Sequence, residues 1–135
     1  MYKKILVPIS FDEERDVSGS FGIAKALADE GGEVILLHVV EHIPGYAVSY
    51  LPDDYLAETR KGIQKELDEM ADGFPNGTGV VIEGHSARSI LDWAEENDPD
   101  LIIIASHRPG MQDLLLGSTA AKVVRHAQCA VHVLR

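Results

Sequence analysis

The 135-residue sequence predicts an α/β fold, in which a doubly wound, five-stranded parallel sheet is sandwiched by helices within a single domain. Two observations lead to this prediction. Five short apolar runs alternate with segments whose apolar residues recur at helical spacing. The runs at residues 34–37 and 101–104 are apolar at every position, as strands covered by helices on both faces require.

The first strand is predicted over residues 4–9, with Pro8 near its end, where a strand can spare an amide donor. A helix follows, and its apolar face comprises Val17, Phe21, Ala24 and Ala28. Gly31 and Gly32 are predicted to end this helix. The second strand is predicted over residues 33–40.

The middle of the chain begins with a predicted loop, residues 41–51, which shows no periodicity. A long helix is predicted from Pro52, with an apolar face of Leu56, Ile63, Leu67 and Met70. Residues 74–79, rich in glycine, are predicted to end it as a turn before a third strand at residues 80–82.

The last elements begin with a helix from about Ser86, whose inward residues are predicted to be Ile90, Leu91 and Ala94. The fourth strand, residues 101–105, ends in a loop that leads to a helix with Ser118 as its N-cap. The apolar stripe of that helix comprises Ala120, Val123, Val124 and Ala127. Residues 130–134 alternate as a fifth strand.

Charge argues against nucleic acid or an acidic membrane as the main partner, because 22 acidic against 12 basic residues give a net charge of −10. The segment from Ala105 onward reverses this balance and is the expected place for a small anion. Lys122 and Arg125 are interpreted as complements to the C-terminal end of their own helix. Arg108 lies in the loop and has no such role.

A cytoplasmic protein is expected. Cys129 is the single cysteine, so no intramolecular disulfide forms, and no apolar stretch reaches the length of a membrane span. The N-terminal apolar run is too short for a signal peptide.

Residues 105–119 predict a phosphate site, because a buried strand leads through a loop to a helix start, where amide donors are exposed at the positive end of the dipole. Gly117 allows close backbone approach, while Ser118 and Thr119 add hydroxyls. Arg108 can bind a phosphate with a bidentate fork. Plain helix capping is the alternative. The loop lacks the Gly-Lys-[Ser/Thr] of a Walker A motif.

Other residue types indicate less. The six histidines show no recognised metal-ligand spacing. The acidic run at residues 12–16 is interpreted as a solvated segment, with magnesium binding beside a nucleotide as the alternative. Tyr46 and Tyr50 either pack over the sheet edge or cover a base.

The whole chain resembles the universal stress proteins. The resemblance rests on the order and spacing of Lys3-Lys-Ile-Leu-Val-Pro8, Val34-Ile-Leu-Leu-His-Val39, Asp100-Leu-Ile-Ile-Ile-Ala-Ser-His107 and Leu115-Leu-Gly-Ser118, and on the ending from Val123 to Leu134. It implies a Rossmann-like fold that binds ATP or AMP after the fourth strand, in a small cytoplasmic homodimer.

The chain departs from the family motif G-x2-G-x9-G-[S/T]. Ala105 and Arg108 stand at the first two glycine positions, and the loop to Gly117 is one residue shorter. The Ser-His-Arg-Pro sequence instead resembles a short subgroup, related to enterobacterial members, that keeps arginine in the loop. Ser10 stands where the family has an aspartate thought to contact the ribose.

Carried over by residue, the resemblance implies a site made of three segments. Pro8, Ile9 and Ser10 would line the base and ribose, and the Val39 backbone would contact adenine. Ala105, Ser106, His107 and Arg108 would flank the ribose and phosphates. Gly117, Ser118 and Thr119 would hold the phosphates. The final strand would pair with its copy in the dimer.

We therefore expect an adenine-nucleotide-binding regulatory protein that acts in a stress response. A nucleotide-free dimeric interaction module of the same family is the alternative. A slow ATPase is a third reading, for which His107 is the one candidate base.

Overall fold

The computed structural model describes residues 1–11, 17–106 and 117–135. Its elements are β1 (Tyr2–Pro8), α1 (Ser18–Leu27), β2 (Ala28–Val40), α2 (Gly45–Val48), α3 (Tyr55–Ala71), β3 (Gly77–Glu83), α4 (Ser86–Asn97), β4 (Leu101–Ala105), α5 (Ser118–His126) and β5 (Ala130–Leu134). The five strands form a parallel sheet in the order β3-β2-β1-β4-β5. The predicted five-stranded parallel α/β sheet is confirmed.

Helices cover both faces of the sheet, which is therefore doubly wound. On one face α1 contributes Ala24 and α3 contributes Leu67 to a buried core. On the other face α4 and α5 contribute Ile90 and Val123. Neighbouring residues of one strand alternate between the two cores, as the fully buried Ile5 and Leu6 do. This double coverage explains why the central strands are continuous apolar runs.

The strand order reverses at β1. From β1 the chain moves through β2 to the edge strand β3, and α4 then carries it back to β4 on the other side of β1. The helix after β1 and the helix after β4 consequently lie on opposite faces. The carboxyl ends of these two neighbouring strands open a crevice, which is where such sheets bind ligands.

The boundary between α1 and β2 differs from the prediction. The helix ends at Leu27 instead of at Gly31, and Ala28 is already extended, with φ −71° and ψ 136°. Ala28 pairs with Tyr2, and the register shifts between Tyr2 and Lys4. Because this partner lies at the start of the chain, helical spacing within one segment could not reveal it.

The third strand is longer than predicted. It begins at Gly77 and pairs with β2 from Val34 onward, so Gly77 and Gly79 belong to a strand instead of a turn. A Cβ atom on Gly79 would lie 2.8 Å from the Cβ of Leu67. The glycine is therefore required because α3 packs closely on the sheet.

Three helical predictions are also corrected. The predicted loop at residues 41–51 contains the short helix α2, and α3 begins at Tyr55 instead of Pro52. Leu56 and Val124 were expected to be inward, but they are 39% and 44% exposed. Val124 follows the buried Val123, and one residue rotates a helix by about 100°, which turns it toward solvent.

None of the helices in the described parts of the chain is long and apolar enough to cross a membrane.

Asp100 joins the start of β4 to the start of β1. Its carboxylate accepts hydrogen bonds from the N–H groups of Lys3, at 2.8 Å, and Lys4, at 2.9 Å. Its own N–H donates to the Lys4 carbonyl at 2.9 Å. Desolvation by burial acts to raise the pKa of Asp100, but the backbone hydrogen bonds outweigh it and the pKa is lowered.

We predict that Asp100→Asn destabilises the protein in a pH-dependent way. Because the folded-state pKa is lowered, the carboxylate contribution is present above the unfolded pKa and is lost as the pH falls through the folded value. At pH 7 the substitution should lower the free energy of unfolding by about 1–2 kcal/mol. Urea denaturation should show this loss shrinking below about pH 4. Asp53→Asn, a control at an exposed position, should change the free energy of unfolding little. A loss of stability in Asp100→Asn that is equal at pH 7 and below about pH 4 would contradict the account.

Candidate functional site

A cleft of about 550 Å³ opens at the point where the strand order reverses. The ends of β1, β2 and β4 and the first turns of α4 and α5 form its walls. Its volume lies within the range of small-molecule sites, roughly 300–1,000 Å³. The cleft is therefore the candidate functional site.

Four separated segments of the chain bring the predicted site residues together here. The cleft is lined by Pro8, Ile9, Ser10, Val39, Ala105, Ser106, Gly117, Ser118 and Thr119. The other two predicted residues, His107 and Arg108, lie outside the described residues, as does the acidic run at residues 12–16. The roles of all these residues toward a ligand stay predictions.

Further lining residues were not predicted. They are Leu37, His38, Val40, Glu41, Ser86, Ile90, Ile104 and Ala120. Most are apolar residues at strand ends or in helices, and only the three-dimensional placement shows that they reach the cleft. His38 carries a usable signal, because it is the one polar residue in the run 34–40 and stands near the strand's carboxyl end.

His38 holds the exit of β1 in place. Its Nδ1 lies 2.8 Å from the carbonyl oxygen of Ile9. Because a carbonyl oxygen can only accept, Nδ1 carries the proton and donates it. The Ile9 N–H donates in turn to the Leu37 carbonyl at 2.8 Å. The rings of His38 and Phe11 pack edge to face, with their centroids 4.8 Å apart. The segment that carries Ser10 is thereby attached to β2.

The start of α5 differs by one residue from the prediction. Gly117, with φ −57° and ψ 150°, is the N-cap, and Ser118 is the first helical residue. No described side chain caps this end, and its first turn contains no acidic residue. The first N–H groups of a helix have no partners within the helix. The amides of Ser118, Thr119 and Ala120 therefore stand at the cleft as donors.

A second helix begins at the same cleft. Gly84 has φ 149°, a backbone conformation that favours glycine. Its N–H donates to the Val40 carbonyl at 3.0 Å. This turn starts α4 at Ser86 beside the end of β2. The cleft thus receives the positive ends of two helix dipoles.

The cleft has an apolar part and a part rich in hydrogen-bond donors. Ile9, Val39 and Ile104 provide apolar surface at the strand ends, while hydroxyls and amide donors gather at the start of α5. Ser106 also lines the cleft; it is 3% exposed, and its N–H donates to the Leu134 carbonyl at 2.9 Å, which fixes the end of β4 against β5. This arrangement suits a ligand with one flat apolar part and one anionic part.

Comparison with protein families shows to which family the chain belongs. The universal stress protein family model matches residues 1–135. The chain belongs to the universal stress protein family. The sequence resemblance is thus confirmed for the whole length, whereas membership of the short arginine-containing subgroup stays a prediction.

Relatives of known name agree with this assignment. Universal stress protein G of Salmonella typhimurium is 33% identical over 146 residues, which cover 100% of each chain. Universal stress protein A homolog 2 of Coxiella burnetii is 32% identical, covering 99% of this chain and 95% of its own. The solved structure of UspA from Lactobacillus plantarum superposes with a TM-score of 0.72 at 26% identity, covering 99% of this chain and 98% of its own.

Several more distant universal stress proteins share the fold and hold nucleotides. An Arabidopsis thaliana member with AMP bound has a TM-score of 0.65 at 17% identity, covering 98% of this chain and 90% of its own. A member in complex with cAMP and an Archaeoglobus fulgidus member in complex with dAMP have TM-scores of 0.65 and 0.61. At 21% and 19% identity these likenesses establish the fold.

We predict that His38→Ala destabilises the protein by about 1–2 kcal/mol, since it removes a hydrogen bond and an aromatic contact that hold the exit of β1. The midpoint of urea denaturation measures this. His38→Asn, which can place an amide donor near the position of Nδ1, is the matched variant and should recover part of the loss. Equal stability of His38→Ala and wild type would show that the contact has no anchoring role.

Proposed function

We propose that this universal stress protein binds an adenine nucleotide, ATP or AMP, in the cleft. We further propose that the bound nucleotide regulates its interaction with other proteins in a cytoplasmic stress response. One observation carries the proposal: the start of α5, which no described side chain caps, and the apolar ends of β1, β2 and β4 face one cleft. A nucleotide combines the two chemistries that this cleft offers.

The adenosine part fits the strand ends. Pro8, Ile9 and Ser10 follow β1 and would line the base and ribose, and the half-buried Val39 would present its backbone to adenine. The hydroxyl of Ser10 can hydrogen-bond a ribose hydroxyl, although less strongly than the aspartate common in the family. His38 keeps this segment against β2.

The phosphate part fits the start of α5. Gly117, Ser118 and Thr119 would supply amide donors and hydroxyls, with Ala105 and Ser106 beside them at the end of β4. His107 and Arg108 would close over the phosphates from the adjoining loop; this part of the proposal rests on the sequence. The related structures with AMP, cAMP and dAMP support an adenine nucleotide as the ligand class.

We also propose a homodimer formed through β5. The sheet has two edges, β3 and β5. At the β3 edge, side chains of α3 cover strand carbonyls: Arg60 donates to Val81 at 3.0 Å and Gln64 to Gly79 at 2.9 Å. No side-chain donor from the described residues is found on the carbonyls of β5. Within the described part of the chain, β5 is therefore the edge that a second copy can extend.

The alternative is a dimeric interaction module that binds no nucleotide. Calorimetry separates the two functions, because the nucleotide proposal requires saturable binding of ATP or AMP. The expected affinity is micromolar, about −8 kcal/mol. A folded, dimeric protein that releases or absorbs no heat when titrated with ATP or AMP would favour the interaction module.

We predict that Ser118→Ala weakens nucleotide binding by about 1–2 kcal/mol, because it removes a hydroxyl from the start of α5. Titration calorimetry with AMP measures the change. Thr59→Ala, which removes a hydroxyl from an exposed position on α3, should leave the affinity unchanged. Unchanged AMP affinity in Ser118→Ala would remove this residue from the site.

We predict that Val131→Pro yields a folded monomer. The Leu134 carbonyl accepts a hydrogen bond from the N–H of Ser106, the residue after β4, so the backbone groups of Leu134 and His132 point toward β4. Since backbone direction alternates along a strand, those of Val131 point outward. Proline there removes a donor from the outer edge and leaves the pairing with β4 in place. Light scattering should show the loss of the dimer while circular dichroism stays unchanged. A Val131→Pro protein that remains dimeric would exclude β5 as the interface.

A further inference from the structure

The exposed apolar side chains are concentrated in one short part of the chain. Among the described residues, seven large apolar side chains are exposed, and five of them fall within residues 46–56. These five belong to α2, the turns after it and the start of α3. We call them the α2–α3 patch, which comprises Tyr46, Val48, Tyr50, Tyr55 and Leu56.

Packing within the chain does not explain this exposure. No side chain of residues 41–62, all of which are described, belongs to either core. The sequence predicts that Tyr46 and Tyr50 pack over the sheet edge or cover a base. They are 79% and 87% exposed and do not line the cleft, so the structure places them in neither role. A cluster of exposed apolar side chains is typical of an interaction site.

The backbone of the patch is ordered by its own hydrogen bonds. The Val48 N–H donates to the Pro44 carbonyl at 3.2 Å, and the Tyr50 N–H donates to the Ala47 carbonyl at 3.2 Å. A further turn leads into α3. Because such turns advance only about 1.5–2 Å per residue, residues 46–56 extend over on the order of 20 Å. The patch therefore fits within a standard protein interface, about 800 Å² per partner.

The charge around the patch is acidic. Residues 41–59 contain four exposed acids and no lysine or arginine. The next cation, Arg60, donates to the Val81 carbonyl at 3.0 Å. Nucleic acid, an anionic membrane and a second copy of the same acidic surface would all be repelled here. A partner of opposite charge is favoured. The four acids are Glu41, Asp53, Asp54 and Glu58.

We propose that the α2–α3 patch binds a basic and apolar segment of another protein. Lysines or arginines of that segment face the carboxylates, and its apolar side chains pack against the tyrosines. Tyrosine is enriched at the hot spots of interfaces, and its ring also attracts lysine and arginine cations. The inference assigns a surface to the protein interaction proposed above and rests on that part of the proposed function. It does not require nucleotide, because none of the five patch residues lines the cleft.

The test selects ligands for the whole chain from a display library of random peptides about 12 residues long, enough for three helical turns. An enriched peptide is then synthesised with a fluorescent label, and its affinity is measured by anisotropy. The test variants are Tyr46→Ala, Tyr50→Ala and the double variant Asp53→Asn/Asp54→Asn. All four positions are exposed, and circular dichroism shows that each variant is folded.

Two controls make the same kinds of change elsewhere. Val124→Ala shortens an exposed apolar side chain on α5. Glu95→Gln/Glu96→Gln neutralises two adjacent exposed acids on α4, as the double variant does in the patch. Both controls should bind the peptide as wild type does.

The enriched peptides should combine lysine or arginine with leucine, methionine or aromatic residues. Tyr46→Ala and Tyr50→Ala should each weaken binding of the peptide by at least about tenfold. Asp53→Asn/Asp54→Asn should weaken it by about two- to fivefold at low salt, and high salt should remove this difference.

Peptides that carry no excess of positive charge, or whose affinity the tyrosine variants leave unchanged, would overturn the inference, as would a library that yields no binder. A change of oligomeric state in Tyr50→Ala, measured by light scattering, would assign the patch to a second copy instead. Sedimentation with phosphatidylcholine vesicles that is lost in Tyr50→Ala would assign it to a membrane. Titration of the same variants with AMP, expected to match wild type, tests the nucleotide proposal separately.

Discussion

The reversal of strand order at β1 is the constraint on which the rest of the structure depends. β2 and β4 flank β1, and the helices that follow β1 and β4 lie on opposite faces of the sheet. The two connections therefore diverge and leave a crevice at the carboxyl ends of β1 and β4. The cleft forms at this opening. Hydrogen bonds then fix its walls: His38 holds the exit of β1, Gly84 holds the start of α4, and Ser106 joins β4 to β5.

Electrostatics give this opening its chemistry. An acidic chain should repel anions over most of its surface. At the cleft, however, two helices present amide donors, and neither contains an acid in its first turn. The apolar strand ends and the positive helix ends together suit the proposed ligand, which is part base and part phosphate.

Much of this architecture follows from the sequence, because apolar periodicity reports burial. The limits of β4 and β5 and the convergence of the described site residues on one cleft agree with expectation. Predictions went wrong where a distant partner decides the local structure. Ala28 is extended because Tyr2 pairs with it, and Gly79 is in a strand because it pairs with Leu36. Ser86 and Ile90 were missed for the same reason, since only the fold brings α4 to the cleft.

The central claim is that an adenine nucleotide occupies this cleft. A crystal structure of the protein grown with saturating ATP tests it most directly. The account predicts adenine beside the backbone of Val39 and phosphate density at the first turn of α5. Well-ordered crystals in which the cleft contains only water, or in which ATP is bound elsewhere on the surface, would contradict it.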